Sequence, residues 1–415
     1  MLSHENEYEI NTRSSTARSH ADYPSYPLQT RVQDVIAPGR LIIVGDVHGH
    51  LPELKKLLEK VAYSKSNGDK LIFVGDLVNK GPDSPGVVQL AIELGASAIR
   101  GNNEDRVLAA HSAIKRGEDT NIIERLKRLA LEAEKEKETE KEAKDDEPAA
   151  SETKEDLKST SPGDLKPYSS ESDFTTAANL TDDQISWLAS QPLILRIKLR
   201  KGATSPPWNS GTLLVAHGGL VPLLPLEEQD PWAVMNMRGL VYRDPGATVT
   251  EPIRAGLLKG AKSRTRRYTA YHDATDTDIK TELEKWADVV NNGEGFSGRY
   301  EEGVVGFPLE TREGDWWIDA WNRWQCLIEN PDERSIVIYG HDARVGIQVG
   351  ADSPEVARYT FGLDSGCVYG KSLTAMVIDE RNDGKGLSHS LVQVDTIKED
   401  EVKEGEAIRY RHTTH

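Results

Sequence analysis

Five times along this chain of 415 residues, a short apolar run stops at a glycine beside an aspartate, asparagine or histidine. Leu41–Val44 precedes Gly45-Asp46-Val47-His48-Gly49, Leu71–Val74 precedes Gly75-Asp76, and Ala98-Ile99-Arg100 precedes Gly101-Asn102. Thr212–Ala216 precedes His217-Gly218-Gly219, and Ile336–Tyr339 precedes Gly340-His341. Continuous apolar runs of this length, ended at once by glycine, fit strands buried on both faces. Between the first runs, Leu54, Leu57, Leu58 and Val61 follow Pro52 at helical spacing, and Val87, Val88, Leu90, Ala91 and Leu94 do the same. Strand alternating with helix argues for an α/β layered sheet, in which residues after the carboxyl ends of strands gather along one edge. Two carboxylates, an amide oxygen and three imidazoles are therefore expected to meet.

The rest of the chain is organised around those runs. Residues 1–38 are rich in Ser, Thr, His and Arg and read as a disordered tail, with order beginning at Arg40 and a single domain running over 39–396. Two insertions interrupt it, at about 117–176 and 243–310. The first carries about half of the net charge of −17; its Glu/Lys part around 121–144 suits one exposed helix, and the remainder has too little apolar surface to fold. Order is expected to return at Thr181, an N-cap for the helix bearing Ile185, Trp187 and Leu188, followed by a strand at Leu193–Leu199. The second insertion holds the basic run Lys259–Arg267; Met376-Val377-Ile378 is a last strand, and 397–415 is a charged tail.

Several function classes fall away. An acidic chain repels nucleic acid and anionic membranes in general, so no extended nucleic-acid surface is expected and a polyanionic substrate needs local attraction by cations or a basic pocket. The two cysteines, Cys326 and Cys367, read as buried thiols, not as a disulfide scaffold or zinc site. The N-terminal stretch lacks an apolar secretory core, and no run approaches the roughly 20 apolar residues of a membrane span. A cytoplasmic location is the expectation, or a nuclear or vacuolar one if an anchor precedes this sequence. No protein partner is legible.

Asp and His suit Mn, Zn, Fe or Co, and a carboxylate can join two ions. Two such ions about 3.5–4 Å apart lower the pKa of water and clamp both ends of an in-line phosphoryl displacement. The series GDVHG, GDLVNKGPDS, GNNED, HGG and GHDA resembles the motifs of the calcineurin-type metallophosphoesterases, in their phosphoprotein phosphatase branch. GPDS, QPLILRI and GLDSGCVYGKSLTAMVID are similar to the bacterial diadenosine tetraphosphatase (ApaH) and to ApaH-like phosphatases, which include fungal endopolyphosphatases. The likeness covers 40–111, 181–226 and 316–378. It implies a β-sandwich of two mixed sheets flanked by helices, and two divalent metal ions. Asp46, His48 and Asp76 would hold the first ion; Asp76, Asn102, His217 and His341 would hold the second. Lys80 stands where the family has a phosphate-gripping Arg, Arg238 matches another downstream of HGG, and Arg106 and Arg344 sit beside motifs where further phosphates could be met.

One departure bears on the substrate. Protein phosphatases of this group have a leaving-group acid, His, in GNHE, oriented by an Asp; here both positions are amides, Asn103 and Asn79. An amide cannot act as a general acid at neutral pH, with His50 and His111 as the candidate replacements. Expelling a serine alkoxide needs such an acid, whereas a phosphate oxyanion can leave with metal or Lys/Arg assistance alone. The expectation is a hydrolase of phosphoanhydrides, with inorganic polyphosphate slightly ahead of dinucleoside polyphosphates. An RNA cap pyrophosphohydrolase, a protein serine/threonine phosphatase and a catalytically silent scaffold are the alternatives.

Overall fold

The computed structural model describes residues 30–34, 40–117, 168–199, 205–242, 250–271, 275–292, 299–300, 303–304, 306–349, 358–380 and 386–396. Two five-stranded sheets form its centre. The first runs β15 (Leu387–Asp395), β14 (Ser372–Glu380), β2 (Leu41–Val44), β3 (Lys70–Phe73), β4 (Ser97–Ala98); β2, β3 and β4 are parallel, and β14 is antiparallel to both its neighbours. The second runs β1 (Thr30–Asp34), β5 (Ile194–Lys198), β6 (Thr212–Ala216), β12 (Ser335–Tyr339), β13 (Thr360–Gly362), with β6, β12 and β13 parallel. Two mixed sheets with helices outside them are the architecture that the motif resemblance implies.

The apolar runs are continuous because both faces of their strands are covered. Leu41 and Ile43 of β2 join Ile72, Val74 and Ile99 against Leu213, Val215, Ile336 and Ile338 of the other sheet. Ile42 and Val44 point the other way, against Leu54, Leu57, Val87, Val88 and Val107. Those residues belong to α1 (Leu51–Lys60), α2 (Ser84–Leu94) and α3 (Asn102–Lys115). A strand apolar at every position leaves no face for water and so is held between layers.

Three expectations are corrected. Thr30–Asp34 falls in the stretch read as a tail, yet it pairs in parallel with Ile194–Lys198 at the sheet edge. Order also returns earlier than Thr181: α4 (Glu171–Asn179) precedes α5 (Asp182–Ala189), its start closed by a Ser170/Asp173 capping box. The thiols differ too, since Cys367 is buried and Cys326 is exposed, on α9 (Trp317–Leu327). The helix expected around 121–144 and the tail beyond 397 lie outside the described residues.

The second insertion is largely helical. After α6 (Pro231–Asn236) and β7 (Gly239–Val241) come α7 (Glu251–Tyr271) and α8 (Asp276–Asn292), then β8 (Arg299–Tyr300), β9 (Gly303–Val304), β10 (Phe307–Leu309) and β11 (Asp315–Trp316). β10, β7 and β11 form a small antiparallel sheet. The basic run lies on α7, and part of it is turned inward. Arg264 stacks 3.7 Å from the Trp232 ring centre and meets Asp230 at 2.8 Å. Arg267 reaches Asp105 of α3 at 2.6 Å.

Candidate active site

Each predicted ligand stands just past the carboxyl end of a strand: Asp46 and His48 after β2, Asp76 after β3, Asn102 after β4, His217 after β6 and His341 after β12. The two sheets meet there, so the six residues come from both. Oxygens of Asp46 and Asp76 and a nitrogen of His217 all lie within 4.8 Å of one another. His48 Nε2 is 3.5 Å from Asp76 Oδ2, and His217 Nε2 is 3.3 Å from Asp76 Oδ1. The His341 backbone N–H donates to both Asp46 oxygens, at 3.2 and 3.0 Å, and its ring packs edge-on against His217 with centres 5.0 Å apart.

Such convergence is tight enough to exclude a side chain at one of the turns. A Cβ on Gly340 would stand 2.0 Å from Asp46 Oδ1. The backbone is also held in an uncommon conformation. His48, Asp76 and His341 have φ of 47°, 51° and 74°, and Asn79 and Lys80 follow at 70° and 68°. Non-glycine residues in this region cost roughly 1 kcal/mol or more each, and they gather where surrounding structure holds a functional geometry. Glu104 supplies part of that hold. Its carboxylate accepts from the backbone N–H groups of Asp76, Leu77, Val78 and Gly101, tying the ends of β3 and β4 together.

The donor set fits divalent cations. His48 Nδ1 lies 3.2 Å from the Val78 carbonyl and His217 Nδ1 2.9 Å from the Val74 carbonyl, so each ring can spend its N–H there and turn a bare Nε2 toward Asp76. His341 does the converse, with Nε2 3.2 Å from the Asn236 carbonyl and Nδ1 left over. Asn102 bridges the cluster and its flank. Turned to satisfy its hydrogen bonds, its nitrogen faces Asp76 Oδ2 at 3.2 Å and His217 Nε2 at 3.0 Å, and its oxygen accepts from Arg106 Nη1 at 3.1 Å. Turned the other way, the oxygen would face a cation held by Asp76 and His217.

Electrostatics agree. Burial, then the carboxylates of Asp364 and Asp76, push the Asp46 carboxyl well above its ordinary range. Burial acts the same way on Asp76, but the charge and hydrogen bond of His217, then His48 and Lys80, outweigh it and hold that carboxyl well below its usual range. Burial lowers His48 to about 4, and burial followed by Arg238 and His217 holds His341 well below the ordinary imidazole value. The lowered His48 and His341 rings are neutral, as ligands to a cation must be. Burial acts on His217 too, but the charge and hydrogen bond of Asp76 outweigh it and raise that ring, whose proton a bound cation would displace.

The expected phosphate contacts divide. Lys80 Nζ is 3.3 Å from His48 Nε2, at the rim of the cluster. Arg106 Nη2 donates to Asn103 Oδ1 at 2.6 Å. Arg238 lies on the His341 side, donating to the Glu310 carbonyl at 3.0 Å and lying 3.7 Å from Asp342, which Arg312 also pairs. Arg344 is on an exposed loop after His341, outside this contact set. Neither candidate acid joins it: His50 faces Glu53 at 3.6 Å, and His111 lies two and a half turns along α3 beside Asp182.

Glu104, Asp364 and Asp173 escaped the sequence reading. Asp364, buried after β13, hydrogen-bonds to Asp46; its Gly362-Leu363-Asp364 repeats the strand–glycine–acid pattern and could have been picked out. The two amides interact directly, Asn79 Nδ2 donating to Asn103 Oδ1 at 3.3 Å, while Asn103 donates through both its backbone and side-chain nitrogens to Asp76. Behind them is Asp173 of α4, wholly buried, accepting from Asn79 Nδ2 and lying 3.5 Å from Arg106 Nε. Its one sequence cue is the Ser170-x-x-Asp173 spacing of a helix start.

Residues 39–367 match a family profile described as calcineurin-like phosphoesterase. The symmetrical bis(5'-nucleosyl)-tetraphosphatase of Shewanella sp. (strain W3-18-1) is 41% identical over 85 residues, 20% of this chain and 31% of that protein. The enzyme of the same name from Pectobacterium atrosepticum is 28% identical over 180 residues, 42% of this chain and 46% of that protein. The chain thus spans less than half the length of these curated relatives. A serine/threonine phosphatase structure from Saccharomyces cerevisiae aligns over 92% of this chain and 87% of its own, at 14% identity and a TM-score of 0.39; the family match, not this superposition, carries the assignment.

Proposed function

The chain belongs to the calcineurin-like phosphoesterase family, and on that premise we propose that it is a metal-dependent hydrolase of phosphoanhydride bonds. Dinucleoside polyphosphates and inorganic polyphosphate are the substrate classes. The observation that carries the reading is the pairing of a complete donor cluster with amides at positions 79 and 103. Asp46, His48, Asp76, Asn102, His217 and His341 offer oxygens and nitrogens to two cations around Asp76, while nothing titratable stands at Asn79 or Asn103 to protonate a basic alkoxide. The names of the curated relatives, tetraphosphatases acting on bis(5'-nucleosyl) substrates, point to the same bond type.

Two divalent ions, when bound there, supply an activated water and neutralise phosphate charge. The chain's own residues do the remainder. Lys80, exposed beside His48, binds non-bridging oxygens of the attacked phosphoryl group, and Arg238 closes from the His341 side. The buried hydrogen bonds that the His217 and His48 rings can donate to the Val74 and Val78 carbonyls fix those rings, so that the ligand geometry needs no rearrangement as charge develops. Arg106 and Arg344 are the candidates for more distant phosphates.

A substrate panel tests this. Diadenosine tetraphosphate, polyphosphate, capped RNA and a phosphoserine peptide are each offered with Mn, Zn or Co. One of the first two is expected to have the highest kcat/KM. Fastest turnover of the phosphopeptide would overturn the anhydride reading, and bound ions without turnover of any substrate would mark a silent scaffold.

A further inference from the structure

We propose that Arg106 is the group that receives the leaving phosphate's charge, and that Asp173 is the residue that positions it. The inference deepens the anhydride reading and rests on it for the identity of the leaving group. Hydrolysis of an anhydride forms one P–O bond from water, whose proton is released to solvent, and breaks the bridging P–O bond. The electron pair stays on the bridging oxygen, which departs as a phosphate oxyanion. Something must meet that charge, either a proton or a fixed cation.

Positions 79 and 103 offer no proton. Both are amides, and the Nδ1 atoms of His48 and His217 are turned to carbonyls. A cation is present instead. Arg106 lies beside Asn102 and Asn103, the two amides next to Asp76, whereas Lys80 meets the cluster at His48. Its side chain is 27% exposed, whereas that of Asp173 behind it is fully buried. One edge of the guanidinium is therefore pinned from within, by Asp173 near Nε and by Asn103 on Nη2, and Nη1 stands outside those two contacts.

Asn102 links this arginine to the donor cluster. Turned to satisfy its hydrogen bonds, its oxygen accepts from Arg106 Nη1 at 3.1 Å while its nitrogen faces Asp76 and His217. Turning the Asn102 oxygen to a cation would free an N–H pair of Arg106 for a phosphate oxygen. Asp173 holds the assembly together. Besides Arg106 it accepts from Asn79 and from the backbone and hydroxyl of Ser170, so the start of α4 and the amide pair share one carboxylate.

The test uses Arg106→Gln, Arg106→Lys and Asp173→Asn in the full chain, with two readouts. The first is binding of imidodiphosphate, which presents two phosphates, and of inorganic phosphate, which presents one, followed by calorimetry. Arg106→Gln is expected to weaken imidodiphosphate by roughly tenfold and leave inorganic phosphate unchanged. The second is kcat for tripolyphosphate and for a series of aryl phosphates of graded leaving-group pKa. Arg106→Gln should lower kcat on tripolyphosphate roughly 100-fold, with KM little changed, and steepen the dependence on leaving-group pKa. Added guanidinium should restore part of that rate. Arg106→Lys should fall between, and Asp173→Asn should shift the slope in the same direction at constant KM. Equal losses for all leaving groups, or equal weakening of both binding probes, would overturn the assignment. If the wild-type protein cleaves aryl phosphates but no anhydride, the proposed substrate class fails, while the aryl slope and the binding pair still decide the role of Arg106.

Discussion

Lys80 is the residue where conformation and chemistry pull hardest against each other. It is exposed, so it buries no apolar surface, yet it is held at a φ of 68° immediately after Asn79 at 70°. Glycine would adopt that backbone freely. Lys80→Gly is therefore expected to stabilise the fold by about 1 kcal/mol while lowering kcat/KM by roughly 100-fold, since a phosphate-binding cation is lost. Thermal unfolding and steady-state kinetics on one preparation check both halves; a variant that is less stable, or as active as the parent, contradicts the account. At this scale the sequence was informative about ligand types, because aspartate, asparagine and histidine after a strand-ending glycine announce themselves. It offered only a helix-start spacing for Asp173, which lies 94 residues from Asn79 and follows a stretch whose composition suggests no packing at all.

Between elements, one buried ion pair joins the second insertion to the catalytic layers. Asp105 on α3 meets Arg267 on α7, and Tyr168 and Tyr271 donate to it as well. Burial would raise this carboxyl, but Arg267 and then Arg100 outweigh burial and hold it below its usual range. Removing one partner of a fully buried pair leaves the other charge without compensation, so Asp105→Asn is expected to cost about 3–5 kcal/mol at pH 7. The sign with pH follows from the depressed value: the stabilisation is complete above the unfolded carboxyl's pKa, about 3.9, and is lost as pH falls through the folded value. Denaturant unfolding of parent and variant should show a gap that narrows below about pH 4; a gap that widens would contradict it. Such long-range partners explain what was legible. Thr212–Ala216 was bounded correctly and Thr181 caps its helix as expected, because both signals are local. β13 was missed, being three residues long, and the inward turn of Arg264 and Arg267 was missed because a basic run reads as solvated until its partners, Asp230 and Asp105, are known.

At the scale of the described residues, two sheets pack face to face, with a cluster of carboxylates, an amide and imidazoles at the carboxyl ends of their strands, and the apolar layers do not themselves balance that polarity. Cations binding there should stabilise the folded chain by mass action. At a free Mn concentration about 100 times the dissociation constant the gain is about 2.7 kcal/mol, read as a rise in Tm that a chelator reverses. Fold class was legible as soon as strands and helices alternated, and the mixed sandwich followed from the motif series; the edge strand Thr30–Asp34 did not, since its only distinguishing feature is a partner over 160 residues away. The central claim is that six side chains share two ions through Asp76. Metal content of the Mn-reconstituted protein, measured for the parent chain and for Asp76→Asn, tests it most directly. The account predicts about two ions per parent chain and no more than about one in the variant. A parent chain that retains no ion, or a variant that keeps both, would contradict it.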